Sequence, residues 1–298
     1  MKSFEICIDS VNNEYYAKKI TSLVMTPDCV SENTSFLLFS HGWGGNRFQH
    51  RDKMEQICES YNRIAVCVEY RQSGYDFDST TGAGSYLPYD ASFLQVFDVL
   101  NSLRQVYELY PQCDRSRTVH YGGSQGGSLA LLSAIFAPRT FAAIYASSPV
   151  VRLTEEIQTW AGRTFDPYEL NVRDVLCHAE MIRCPVWLEH GTNDTTVPHF
   201  QHTMLLEKRL QELGKKHNVV YYEGGDHSLQ PTITKINAFN RLIGDVLAAD
   251  ALSEADDFTA KRTVTVPCGD RTLQIDWGKD AASMELFRWL PKDSFQSV

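Results

Sequence analysis

The residues Gly122-Gly123-Ser124-Gln125-Gly126 follow the apolar run Thr118-Val119-His120-Tyr121 and precede the apolar stretch SLALLSAIF at 128–136. They fit G-x-S-x-G, a sharp strand-to-helix turn that holds a serine hydroxyl clear of the backbone. Glycine suits such a turn because it has no Cβ to clash where strand and helix pass closely. A glycine-rich turn with an incidental serine would match the same five residues, but the strand-like run before and the buried helix after favour a nucleophile. A serine hydroxyl attacks at neutral pH only if a base within hydrogen-bond reach takes its proton. Of nine histidines, His227 stands out in Glu223-Gly224-Gly225-Asp226-His227-Ser228, a glycine-flanked loop after the strand-like Val219-Val220-Tyr221-Tyr222. The third role, a carboxylate that orients the imidazole, falls to Asp194, at the end of the turn Gly191-Thr192-Asn193-Asp194. Asp226 is the rival, but an adjacent residue is badly placed to reach its neighbour's Nδ1.

Acyl transfer also needs donors for the developing oxyanion. Ser40-His41-Gly42-Trp43-Gly44-Gly45 follows the apolar Phe36-Leu37-Leu38-Phe39. The N–H of Gln125 and that of Trp43 are the expected oxyanion hole, with Gly44 an alternative if the loop turns later, and His41 is read as fixing the loop. Such a site works without a cofactor or metal, and activity should fall as pH drops through the range in which an ordinary imidazole protonates, about 6.5. Cys177-His178 with Cys184 fits no standard zinc spacing. Thr81-Gly82-Ala83-Gly84 is too short and wrongly placed for a nucleotide fingerprint.

To bring these residues together, the chain must alternate strands and helices. Buried strands are expected at 36–39, 64–68, 118–121, 141–145 and 186–188, and antiparallel edge strands at 4–8 and 20–25. Phe93, Val96, Phe97, Leu100, Leu103, Tyr107 and Tyr110, spaced by threes and fours and stopped by Pro111, predict a helix. Leu205 to Leu213, ended by Gly214, predicts another. The expected fold class is α/β: a mostly parallel central sheet with helices on both faces, and the site at the strands' carboxyl ends. Residues 1–255 should form this domain, with 151–184 as a cap whose Trp160 and Phe165 join Trp43 and Tyr70 around the substrate. Residues 256–298 are expected to add a β-hairpin packed on it, either an edge appendage or the support of a homodimer; alternating Val264, Val266, then Leu273, Ile275, Trp277 predict its strands.

Composition narrows the function. A chain of 298 residues with net charge −9 lacks the basic stripe of a nucleic-acid binder. The start MKSFEICIDSVNNEYYAKK has no apolar leader core, and no apolar run approaches bilayer length, so no membrane partner and a cytoplasmic location are expected. Eight scattered cysteines with no C-x-x-C read as reduced, mostly buried thiols.

Taken together, the chain resembles an α/β-hydrolase, and in particular is similar to the catalytic domain of the prolyl oligopeptidase family and its esterase relatives. The resemblance is carried by His41-Gly42-Trp43-Gly44, Glu69 to Tyr75, Gly122 to Gly126, Cys184 to Gly191 through Asp194 to Pro198, and Gly225-Asp226-His227. The order Ser124, Asp194, His227 is that of α/β-hydrolases. The β-propeller of the oligopeptidases is expected to be absent, and the elbow also resembles that of carbohydrate acetyl esterases. The resemblance therefore implies a serine hydrolase of the carboxylesterase or deacetylase type acting on a small-molecule ester. A peptidase acting on short peptides is the alternative, with Arg71, Arg152 or Arg163 as carboxylate-binding candidates, and a catalytically idle binding protein is the third reading.

Overall fold

In the computed structural model, residues 1–11, 19–74, 88–248 and 255–292 are described. The run Thr81-Gly82-Ala83-Gly84 lies outside them. The strands of the main sheet are β1 (Lys2–Asp9), β2 (Lys19–Thr26), β3 (Ser35–Ser40), β4 (Arg63–Glu69), β5 (Val119–Gly123), β6 (Ala143–Ser147), β7 (Val186–Gly191) and β8 (His217–Tyr222). They lie in the order β1-β2-β4-β3-β5-β6-β7-β8. β2 pairs antiparallel with both β1 and β4, and every pairing from β4 to β8 is parallel. The sheet is thus the expected α/β-hydrolase type.

The period of two along a strand explains why helices cover both faces. Phe36, Leu38, Ile64, Val66 and Val68 point into one core, shared with α2 (Leu94–Leu109) and α3 (Gln125–Phe136). Leu37, Phe39, Ala65 and Cys67 point into the other, closed by α1 (Arg51–Tyr61) and α8 (Lys235–Leu247). The periodic run at 93–110 forms α2, which stops one residue before Tyr110 and Pro111. β6 begins two residues later than the expected strand at 141–145. Phe141 and Ala142 are buried but precede it, since apolar content marks burial rather than the strand's first residue.

Residues 151–184 fold as three short helices, α4 (Glu155–Trp160), α5 (Pro167–Val172) and α6 (Val175–His178). Val151, Val172, Val175, Ala179 and Ile182 are fully buried in the first core and anchor this stretch to the main domain. α7 (Thr203–Glu212) follows and turns out at Gly214, whose φ of 63° is the left-handed conformation expected of it.

The tail is a three-stranded antiparallel sheet rather than a hairpin: β9 (Thr263–Cys268), β10 (Arg271–Asp276) and β11 (Phe287–Pro291). The third strand escapes the sequence because its five residues, only partly buried or exposed, carry no clean alternation. The tail packs on the main domain through Trp277, which is fully buried, and through Phe287, stacked on Phe97 with ring centroids 4.7 Å apart. Among the described residues no helix is long and apolar enough to cross a membrane. All eight cysteines are free thiols, with Cys58, Cys67, Cys113, Cys184 and Cys268 buried.

Candidate active site

Parallel strands send their carboxyl ends to one edge of the sheet, and β3, β5, β7 and β8 release there the loops that hold Trp43, Ser124, Asp194 and His227. Ser124 has φ 57° and ψ −122°, between the last residue of β5 and the first of α3. A side chain is strained in that conformation, which persists only where the surroundings enforce it. They do so by contact. A Cβ on Gly122 would lie 2.0 Å from the Gly126 carbonyl oxygen, and one on Gly126 would lie 2.1 Å from that of Ser40. Only glycine lets β5, α3 and the end of β3 approach this closely.

The loop after β3 runs alongside the serine: a Cβ on Gly42 would stand 3.7 Å from the Ser124 Cβ. His41 is buried, donates from Nδ1 to the Gly42 carbonyl at 2.8 Å and stacks on Tyr70 at 4.1 Å, which makes it a brace for this loop. Gln125 opens α3, so its N–H has no carbonyl one turn back to bond. Neither that N–H nor that of Trp43 donates to a backbone acceptor among the described residues. The two residues are also tied together. The Tyr89 hydroxyl donates to Gln125 Oε1 at 2.9 Å while its ring stacks on Trp43 at 4.0 Å, and Gln125 Nε2 donates to Gln95 Oε1 at 2.8 Å.

On the far side of the serine, the ends of β7 and β8 are clasped. Asn193 N–H donates to the Gly225 carbonyl at 2.8 Å, and a Cβ on Gly191 would meet that same oxygen at 2.2 Å. This brings His227 Nδ1 to 2.6 Å from Asp194 Oδ2. Asp194 is a strongly solvated anion within the fold: it also accepts from His190 Nε2 at 3.0 Å, Thr196 N–H at 2.9 Å and Val197 N–H at 2.8 Å. Burial works to raise its pKa, but the hydrogen bonds from His190, His227 and Val197 prevail and hold the carboxyl well below its usual range. Asp226 is not the partner; it accepts from the N–H groups of Ser228 and Gln230 within its own loop.

A pocket of about 220 Å³ opens beside Ser124, bounded by Trp43 and Gln125, by Ala91, Ser92 and Ser128, by Val150, Leu153, Ile157 and Trp160, and by Thr196 and Val197. Two of the four expected substrate residues are there, Trp43 and Trp160. The other two are corrections. Tyr70 is fully buried beneath the oxyanion loop and donates to the His41 carbonyl at 3.0 Å, because its strand-end position lies behind that loop. Phe165 sits behind the pocket wall in a cluster with Tyr89, Ala91 and Ala161, under the guanidinium groups of Arg163 and Arg173. None of the three candidate arginines lines the pocket. Arg71 is buried against Asp98, Nη2 to Oδ1 2.7 Å, Arg163 pairs with Glu169, and Arg152 borders a separate groove. His190, Ile157 and Val197 are among the site residues the sequence does not single out. They come from a strand end, a short helix and a loop, and no periodicity marks which side chain of such elements meets a site assembled from distant parts of the chain.

The family model described as the prolyl oligopeptidase family matches residues 93–244, just over half of the chain. The chain belongs to the prolyl oligopeptidase family. The model of the acetyl xylan esterases matches residues 2–159, so the first half of this family member is shared with those esterases. Among curated relatives, the acetyl esterase Axe7A of Xylanibacter ruminicola is 26% identical in an alignment of 158 residues that covers 48% of this chain and 34% of the esterase. Among solved structures, an acylaminoacyl peptidase of Pyrococcus horikoshii superposes with a TM-score of 0.67 at 16% identity, covering 85% of this chain and 42% of that one. A puromycin-hydrolyzing peptidase of Mycobacterium tuberculosis gives 0.61 at 18% identity, covering 82% and 40%. The chain thus spans well under half the length of each of these proteins, and the structural likenesses establish the fold.

Proposed function

We propose that this family member is a serine esterase that hydrolyses a carboxylic ester through an acyl-enzyme on Ser124. The observation that carries this reading is the strained Ser124 turn, placed beside two unspent backbone N–H groups and on the sheet edge where Asp194 holds His227 at 2.6 Å. Ser124 Oγ attacks the ester carbonyl as His227 Nε2 takes its proton. Asp194 keeps Nδ1–H pointed inward and balances the imidazolium. The carbonyl oxygen, now negative, is received by the N–H groups of Trp43 and Gln125, each such donor being worth about 3–4 kcal/mol in comparable sites. Collapse expels the alcohol with the proton from His227, and water then repeats the sequence to release the acid.

Ester rather than amide is favoured by the match to the acetyl xylan esterase model, by a curated relative named as an acetyl esterase, and by a pocket with no charged side chain among its described lining residues to bind a peptide terminus. The peptidase reading is supported by the family itself and by the solved structures named above. Hydrolysis of p-nitrophenyl esters beside peptidyl p-nitroanilides, with wild type and Ser124→Ala, separates them. The expected outcome is ester turnover and labelling by a fluorophosphonate, both lost in the variant, with the anilides untouched. Anilide cleavage that depends on Ser124 would replace the esterase reading by the peptidase one, and an unlabelled, inactive wild type would leave a binding protein.

A further inference from the structure

The pocket beside Ser124 is built for something larger and less polar than acetate. Its volume of about 220 Å³ exceeds the ~150 Å³ of an apolar protein cavity that accommodates benzene. At roughly 30 Å³ per heavy atom, the share of one molecule in liquid water, it holds about seven heavy atoms. No charged residue is among the described residues that line it.

Part of its polar lining is already engaged. The Gln125 amide is committed to Tyr89 and Gln95, and the Ser128 hydroxyl donates to the Val150 carbonyl. An ionised acyl group would lose its water with no charged partner among the described lining residues, a cost that disfavours it. What remains for contact is Trp43, Val150, Leu153, Ile157, Trp160 and Val197. Ile157 and Trp160 come from α4, whose first turn is fixed by the Thr154 side chain accepting from the Ile157 N–H. Trp160 meets the Trp43 ring edge-on, with centroids 6.5 Å apart, so the wall of the pocket is aromatic on two sides.

We propose that this pocket selects an apolar acyl group of about seven carbons, medium-chain or aromatic, and that Ile157 and Trp160 set its depth. The inference rests on the esterase reading. It places the natural substrate among esters of medium-chain fatty or aryl acids rather than among acetylated sugars.

The test is kcat/KM for the full chain on p-nitrophenyl acetate, butyrate, hexanoate, octanoate, dodecanoate, benzoate and monosuccinate. The expected profile rises about fourfold per added methylene, the equivalent of ~0.8 kcal/mol per buried CH₂, to a maximum at hexanoate or octanoate. Benzoate should be well used, and monosuccinate at least tenfold worse than butyrate. Ile157→Trp should move the maximum to acetate or butyrate, and Trp160→Ala, at an already half-exposed site, should move it beyond octanoate. The second variant keeps the test open if overpacking at Ile157 prevents folding. A profile that is highest on acetate and falls steadily with length, or monosuccinate used as well as butyrate, overturns the inference and leaves the esterase reading standing. No turnover of any ester, with anilide cleavage dependent on Ser124, overturns the esterase reading itself and the inference with it.

Discussion

His190 Nε2 lies 3.0 Å from Asp194 Oδ2, the oxygen that His227 Nδ1 reaches at 2.6 Å. Two imidazoles therefore share one carboxylate atom, one fully buried and the other, His227, partly exposed. His190 is itself held by Thr203 Oγ1 at 2.6 Å and by the Val197 carbonyl at 2.8 Å. In the proposed mechanism it acts through Asp194 as a positioning residue.

Removing it should loosen the carboxylate without touching substrate. His190→Ala is expected to lower kcat about tenfold, the equivalent of ~1.4 kcal/mol, with KM nearly unchanged. His190→Gln, which keeps an N–H donor, should recover part of that loss. Steady-state kinetics on one ester for both variants, beside thermal melts, check it. A purely structural role would lower the melting temperature and leave kcat per folded molecule intact.

The depressed pKa of Asp194 also makes a statement about stability. A carboxyl with a folded-state pKa below its unfolded value of about 3.9 stabilises the fold fully above that pH and loses the contribution progressively as pH falls from there through the folded-state pKa. Asp194→Asn should be markedly less stable than wild type at pH 7, equally so at pH 5, and progressively closer to it below about pH 4. Urea unfolding across that range measures the difference. A gap that stays constant to pH 3 would show that the side chain acts through shape alone.

Two glycines in helices should respond in opposite ways. Gly126→Ala drives a methyl group to 2.1 Å from the Ser40 carbonyl oxygen, a backbone atom that cannot step aside, and should prevent folding or cost more than about 4 kcal/mol. Gly244→Ala, inside α8 with nothing within 4 Å, should stabilise by about 1 kcal/mol through helix propensity. Calorimetry or chemical denaturation of the pair is the measurement.

Trp277 links the tail to the helix that carries the elbow. Its Nε1–H donates at 2.9 Å to the carbonyl of Phe136, the last residue of α3, which has no partner further along the helix. Trp277→Ala should cost about 3–5 kcal/mol. Trp277→Phe, which keeps much of the packing but strands that carbonyl, should cost about 1–3 kcal/mol. A Trp277→Phe variant as stable as wild type would mean that the hydrogen bond contributes nothing measurable.

Much of this protein was legible in its amino-acid order, because local chemistry dictated it. Apolar runs of four or five residues marked the inner strands, and the spacing of Phe93 to Tyr110 marked α2. Gly122 and Gly126 announced a turn that only glycine can make, and the loops of Asp194 and His227 announced strand ends. The third strand of the tail and the start of β6 were not legible, since short or wholly apolar stretches carry no period to read. The rest was decided only by tertiary structure. That Tyr70 and Phe165 stand behind the pocket while Ile157 and Val197 line it depends on which way loops from four parts of the chain turn at one sheet edge. His190 became a partner of Asp194 for the same reason: a strand's last residues point where the neighbouring strands leave room, and those neighbours come from distant parts of the chain.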